Sequence, residues 1–326
     1  MSGFLDIHSI RSKGEEVTIS VVRTVRGRLD AEDMGRTLIH EHLLCDFIGA
    51  DGVDRDRYSR PRVVQEMVPY LKEVKELGFE TFVDCTPAFI GRDPVLLSEL
   101  AEKTDLNILT NTGLYKEPYL PRYAFAESAS ELAQRWIGEF NGGIEAGIKP
   151  GFIKIAVNPG PLFKIQQKIV RAAALTCKET GLTIASHTVK GVAAVEEIKI
   201  LKENGVDPEN FIFVHADGET ELDLHDEVLA EGAWLEYDSV GGRELQWHIE
   251  LLERARDEGY LDQILLSHDA GWYTVGEEGG GEVRPYSAIS RKLHPALERK
   301  WGKEETEKIM DRLLVRNPRE ALGRKE

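Results

Sequence analysis

Short apolar runs alternate along this chain with longer stretches in which apolar residues recur every three or four positions. The first pattern suits buried strands and the second suits amphipathic helices. The opening "EEVTISVVRTVRGRLDAEDMG" alternates β-branched and polar residues and turns near Arg26 and Gly27, which predicts a short β-hairpin. "RTLIHEHLLCD" (36–46) then predicts a first strand, and "PRVVQEMVPYLKEVKELG" (61–78) a helix with a glycine stop. "FETFVDCTP" (79–87) predicts the second strand, and "DPVLLSELAEKT" (93–104) a helix with Pro94 in its first turn behind an Asp93 cap. "LNILTNTG" (106–113) predicts the third strand, followed by a long helix at about 127–146.

The alternation continues with strands at 151–157, 182–188, 210–217, 233–241 and 263–271. Helices at 163–181, 193–205, 220–232 and 244–259 separate them, and a helical region ends the chain. Eight strands, each followed by a helix, is the count of an α/β (β/α)8 TIM barrel, here preceded by a short N-terminal β-hairpin. The expectation is one domain spanning 1–326. An open doubly wound sheet would place a glycine-rich turn after its first strand, and neither GxGxxG nor GxxxxGK[ST] occurs. "GEEGGGE" (276–282) reads as a flexible loop.

Composition narrows the partners. Asp and Glu outnumber Lys and Arg 57 to 41, a net charge of −16, which argues against nucleic acid and against an anionic membrane surface. No apolar run approaches the ~18–20 residues of a membrane span, and the N-terminal stretch lacks the pattern of a secretory signal. The three cysteines, Cys45, Cys85 and Cys177, form no CxxC pair, so neither a disulfide framework nor a thiolate zinc site is indicated. A cytoplasmic location is the default expectation.

The candidate chemistry lies at strand ends, where a barrel of this kind carries its catalytic groups. His40 and His42 are two apart on the first strand and so share a side, while Ile39, Glu41 and Leu43 are expected to point the other way. Two imidazoles with one direction form half a metal site; two buried, satisfied histidines are the bland alternative. His187 ends the fifth strand, His215 the sixth and Asp269 the eighth. An aspartate buried there without a partner is costly, and a cation would satisfy it. His268 has the opposite parity and reads as outward-facing or supporting. Lys154 sits inside the fourth strand between Ile153 and Ile155. Three states fit it: a deprotonated amine, a carbamate formed with carbon dioxide, or an ammonium paired to a carboxylate or reaching out of the barrel.

Taken together, "IHEH", "FIKIA", "SHT", "VHAD" and "LSHDAG", in that order and on those strands, resemble the phosphotriesterase family of the amidohydrolase superfamily. The nearest branch is the phosphotriesterase-like lactonases, and the likeness runs from about residue 17 to "RNPREAL" near the C-terminus. The resemblance implies two divalent metal ions. His40, His42 and Asp269 would hold the more buried ion, His187 and His215 the more exposed one, and a Lys154 carbamate would bridge them together with a hydroxide. Zinc is the first expectation, and cobalt, manganese and iron suit the same N and O ligands. The implied activity is opening of lactones by attack of the bridging hydroxide, with organophosphate triester hydrolysis as a side activity. Asp269 would take the proton, and Tyr115 in "NTGLY" matches a family tyrosine that faces the hydroxide.

Specificity is expected to lie in the loops. Where lactonases of acyl-homoserine lactones carry Arg after the seventh-strand aspartate, this chain has Ser239 after Asp238. The loop after the eighth strand is glycine-rich and carries Trp272 and Arg284, which, with Arg243, are candidate substrate-binding residues. The partner is a small-molecule lactone or ester, and a homodimer follows by analogy. Alternatives are a phosphotriesterase proper, a hydrolase of sugar lactones including phosphorylated ones, a mononuclear deaminase, which Lys154 argues against, and a metal-binding barrel without catalysis.

Overall fold

The computed structural model describes residues 20–325. The hairpin is present as β1 (Ser20–Thr24) and β2 (Gly27–Asp30), and the part of the expected hairpin before Ser20 lies outside the described residues. A C-terminal strand (Arg324–Lys325) pairs antiparallel with β1, a closure of the two chain ends that the sequence pattern does not reveal.

The barrel strands are β3 (Thr37–Cys45), β4 (Thr81–Asp84), β5 (Asn107–Leu109), β6 (Asn111–Thr112), β7 (Phe152–Ala156), β8 (Ile184–His187), β9 (Phe211–Val214), β10 (Trp234–Tyr237) and β11 (Ile264–Leu266). β5 and β6 are one expected strand interrupted at Thr110. A further strand, β12 (Gly271–Thr274), pairs parallel with β3. All pairings around the barrel are parallel, and closure between β11 and β3 runs through Asp269 N to His40 O (3.1 Å) and His42 N to Ala270 O (2.9 Å). The helices α1 (Arg60–Glu76), α2 (Pro94–Thr104), α3 (Arg122–Ala126), α4 (Ala129–Gly142), α5 (Lys164–Thr180), α6 (Gly191–Glu203), α7 (Asp223–Ala230) and α8 (Leu245–Glu258) alternate with these strands. The architecture is the (β/α)8 barrel. Among the described residues no helix is long and apolar enough to cross a membrane.

Two apolar clusters build it. The outer one fills the layer between strands and helices. The inner one takes Ile39, Val83, Leu109, Phe152, Ala185, Ile212, Trp234 and Leu265, one residue from each of the eight barrel strands. Met34 and Leu322 close it from below. This apolar floor excludes water beneath the strand ends and leaves the C-terminal mouth as the place for polar chemistry.

Three local expectations change. Ile39 joins the inner cluster instead of pointing outward, because the β3–β4 register shifts between Leu38 and Glu41 and the bulge puts Ile39 and His40 both inside. The long helix expected at 127–146 is the shorter α4 (Ala129–Gly142), which starts at the capping box of Ser128 and Glu131 and stops at Gly143 (φ 92°), and a separate short helix, α3, precedes it. The eighth strand ends at Leu266 instead of running to Gly271, because Asp269 adopts a left-handed conformation (φ 49°). The 276–282 loop carries a single 3-10 turn, Glu278–Gly280.

One buried acid has a measurable consequence for stability. Glu197, on α6, lies within 2.5 Å of Ser186 Oγ and 2.7 Å of Thr188 Oγ1. The single Thr188 hydroxyl proton also has Ser186 O at 2.9 Å. If it goes there, Glu197 must itself donate to Thr188 and is a neutral acid. Burial pushes its pKa up to about 8. The folded state therefore keeps a proton that the unfolded chain loses near pH 4.5, so this group lowers stability progressively as pH rises from about 4.5 to 8. Glu197→Gln removes that slope. Thermal unfolding between pH 5 and 8 is expected to show a Tm advantage for the variant that grows with pH, and parallel curves would refute the neutral-acid assignment.

Candidate metal centre

The mouth of the barrel holds a cavity of about 440 Å³ whose wall includes His40, His42, Tyr115, Lys154, His187, His215, Asp269 and Trp272. Six of these are the expected ligands, brought together from five strand ends. The ring centroids of His40 and His42 are 5.3 Å apart, those of His40 and His215 5.2 Å, and those of His187 and His215 4.4 Å.

Hydrogen bonds decide which nitrogen of each ring faces the cavity. His40 Nδ1 donates to Glu236 (2.6 Å) and Asp238 (2.8 Å), and His215 Nδ1 donates to the other oxygen of Asp238 (2.8 Å). His42 Nδ1 lies 2.8 Å from Thr86 Oγ1, and Thr86 in turn reaches Asp84 at 3.3 Å. These bonds turn the Nε2 atoms of three imidazoles toward the cavity, which is the usual way an outer partner fixes a metal-ligating tautomer. His42 Nε2 is 3.1 Å and His40 Nε2 3.7 Å from Asp269 Oδ1, and these three residues form one compact donor group. His187 turns its Nδ1 inward instead, 2.8 Å from His215 Nε2 and 3.0 Å from the Tyr115 hydroxyl. The two donor pairs thus lie side by side.

The electrostatics divide the four imidazoles: against burial, Cys45 and Asp269 raise His42 to about 10 and Asp238 raises His215. Burial, aided by Lys154, lowers His40 to about 3, and burial with the neighbouring His215 lowers His187 well below the usual histidine range. Both are neutral ligands. Burial alone would raise Asp238, but His215 and His40 hold it well below the usual carboxylate range. Burial and the adjacent Asp238 keep Glu236 well above that range. Lys154 is 1% exposed and its Nζ has no hydrogen-bond partner. A buried, unpartnered amine in the midst of five other expected ligands is costly unless another species meets it there. The donor set of imidazole nitrogens and carboxylate oxygen suits divalent zinc, cobalt, manganese or iron.

Backbone conformation helps to aim the donors. His215 (φ 64°), Asp269 (φ 49°) and Trp272 (φ 76°) are non-glycine residues in the left-handed region, all on this cavity. Gly271 (φ 93°) has no room for a side chain, since a Cβ would lie 2.0 Å from Tyr286 Oη and 2.1 Å from His42 O.

The remaining candidates fall in different places. Trp272 stands edge-on to His42, with ring centroids 5.6 Å apart, and walls the cavity. Arg284 is not on the cavity wall; its Nη2 donates to the carbonyls of His268 (2.7 Å) and Asp269. Arg243 is exposed on the loop after β10. Ser239 donates through its backbone N–H to Asp217 at 3.0 Å.

Sequence reasoning passed over Asp238, Glu236, Thr86 and Glu41 as supports of the site. Glu236 and Asp238 are two apart at the end of β10, the same i, i+2 signal that exposes His40 and His42. Glu41 does point away from the barrel interior, but it is fully buried and accepts from Ser267 Oγ (2.9 Å), His268 N (3.1 Å), His268 Nδ1 (2.6 Å) and Ala270 N (2.9 Å). His268 Nε2 accepts from Ile289 N at 3.0 Å, so His268 is held behind the site.

A (β/α)8 barrel with four histidines, an aspartate and an orphaned lysine converging at its C-terminal mouth defines a class of metal-site barrel. More particularly, the chain belongs to the phosphotriesterase family, whose model matches residues 20–322. An aryldialkylphosphatase of Saccharolobus solfataricus is 28% identical, over 89% of this chain and 96% of the relative. The structure of an organophosphorus hydrolase from Deinococcus radiodurans superposes with a TM-score of 0.84 at 29% identity, covering 96% of this chain and all of that one. A multiply substituted PTE-like lactonase from the same organism superposes with a TM-score of 0.83 at 29% identity, covering 93% and 100%.

Proposed function

We propose that this protein is a binuclear metal-dependent hydrolase that opens lactones, with organophosphate triester hydrolysis as a side activity. The observation that carries the reading is Lys154 Nζ, buried and unpartnered between the His40–His42–Asp269 group and the His187–His215 pair. His40, His42 and Asp269 would hold one ion, and His187 and His215 the other. Lys154 would take up carbon dioxide, losing a proton, and present an anionic carbamate to both. Bound there, the ions would lower the pKa of water and polarise the ester oxygen. Asp269 then accepts the proton that the attacking water releases. Tyr115 offers a hydroxyl donor within the same wall, 3.0 Å from His187, and Trp272 limits the space over the reacting group. The relatives named as a lactonase and an organophosphorus hydrolase support both substrate classes.

Lys116 favours a second reading, in which the lactone is anionic, such as a phosphorylated sugar lactone. Its half-buried Nζ donates to Val157 O at 3.1 Å beside the Tyr115 ring, burial lowers it to about 8, and no ion pair holds it among the described residues. The test is metal-reconstituted protein assayed against acyl-homoserine, γ-, δ-, sugar and phosphorylated sugar lactones, with bound metal counted. Two ions per chain and turnover of a lactone are expected. One ion, or two ions with no lactone or ester turned over, would sink the reading. A preference for phosphorylated over neutral lactones that disappears in Lys116→Met would establish the second form.

A further inference from the structure

Asp269, like His215, stands just beyond a regular strand. Its left-handed backbone (φ 49°) breaks the chain between β11 and β12, and a non-glycine residue holds that conformation only when its surroundings impose it. Two charged groups meet its backbone from opposite sides. On one side the buried Glu41 carboxylate takes the N–H groups of His268 and Ala270, which flank Asp269, together with the His268 imidazole and the Ser267 hydroxyl. On the other side Arg284 Nη2 donates to the carbonyls of His268 and Asp269 itself. Arg284 is anchored in turn by a reciprocal backbone pair with Gly271, each N–H to O distance 3.0 Å. Its guanidinium carbon stands 5.9 Å over the Trp272 ring.

We infer that Glu41 and Arg284 are positioning residues: together they clasp the backbone around Asp269 and thereby aim its carboxylate at His42 and His40. The inference rests on the hydrolase reading above and assigns Arg284 to the aspartate instead of to the substrate. The geometry explains the choice of residue types. Two N–H groups on adjacent turns need one acceptor with two oxygens, which a carboxylate supplies, and two carbonyls need a donor with several N–H groups, which a guanidinium supplies.

The experiment compares Arg284→Met, Arg284→Lys and Glu41→Gln with the parent protein, all reconstituted with cobalt(II). The visible absorption of the bound cobalt reports ligand geometry without turnover. Arg284→Met is expected to shift the cobalt bands and to lower kcat by about tenfold or more, with KM within about twofold of the parent. Arg284→Lys, which can still donate to one carbonyl, is expected to recover part of both effects. Glu41→Gln, which keeps one acceptor oxygen, is expected to shift the same bands. Unchanged cobalt spectra in all three variants would overturn the clasp, and so would a rise in KM at constant kcat in Arg284→Met, since that marks a group gripping substrate. If Arg284→Met fails to fold, the spectra of Arg284→Lys and Glu41→Gln decide the matter by the same criterion. Failure of the parent to turn over any ester would instead count against the hydrolase reading and leave the spectral comparison valid.

Discussion

Lys154→Ala is expected to abolish turnover, by about 10³-fold or more, and to lose the paired binding of two ions. The reasoning starts from burial. Lys154 lies on β7 between the apolar floor and the five other expected ligands, and its amine has no partner among them. An ammonium there would repel any bound cation, and the proposed carbamate removes that repulsion. Once the ammonium has lost a proton, addition of the neutral amine to carbon dioxide forms an N–C bond and releases a second proton, so that a cation would become an anion with two oxygens. Alanine cannot undergo that reaction, so added bicarbonate is not expected to restore either ions or turnover. Because the substitution removes an unsatisfied polar atom as well as packing volume, the metal-free variant is expected to unfold at a temperature close to that of the metal-free parent. Metal analysis and calorimetry of the same samples make the comparison. A variant that still binds two ions per chain would refute the bridging role.

Gly113 supports the importance of that position from the neighbouring strand. At φ 115° it lies so close to β7 that a Cβ would come within 2.1 Å of Lys154 O. The β6–β7 contact therefore fixes the Lys154 backbone by sterics as well as by the pairing of Thr112 with Ile153.

The parts of this site that could be read in the sequence are those governed by strand parity. His40 and His42 share a face because they are two apart, and Lys154 and Phe152 do likewise, the first beside the ligands and the second in the floor. Parity also governs Glu236 and Asp238, whose two-residue spacing carries the same signal. Where parity breaks, the sequence is silent. Ile39 faces inward because of a bulge, whose position depends on how β4 pairs with β3. His215 and Asp269 owe their directions to left-handed residues held by distant groups, Asp238 for the first and Glu41 and Arg284 for the second. Those contacts join residues 23 positions apart in one case and 227 in another, beyond the reach of any local pattern.

Asp269→Asn is expected to lower kcat by about 10²-fold or more while weakening metal binding by no more than about tenfold. The two numbers separate two roles. As a ligand, Asp269 presents one oxygen to His42 Nε2 at 3.1 Å, and an asparagine oxygen occupies nearly the same place. As a base, Asp269 must gain a proton, which asparagine does not. Burial would raise its pKa, but the His42 hydrogen bond and the charges of His42 and His215 outweigh burial and hold it below the usual carboxylate range. The carboxylate is thus ionised across the working pH range and ready to accept. Its low basicity also means that it returns the proton quickly to the leaving alkoxide, which suits a relay better than a reservoir. If turnover is unchanged while metal affinity falls, Asp269 is a ligand only, and the proton must leave by another route, with the Tyr115 hydroxyl as the nearest candidate on the same wall.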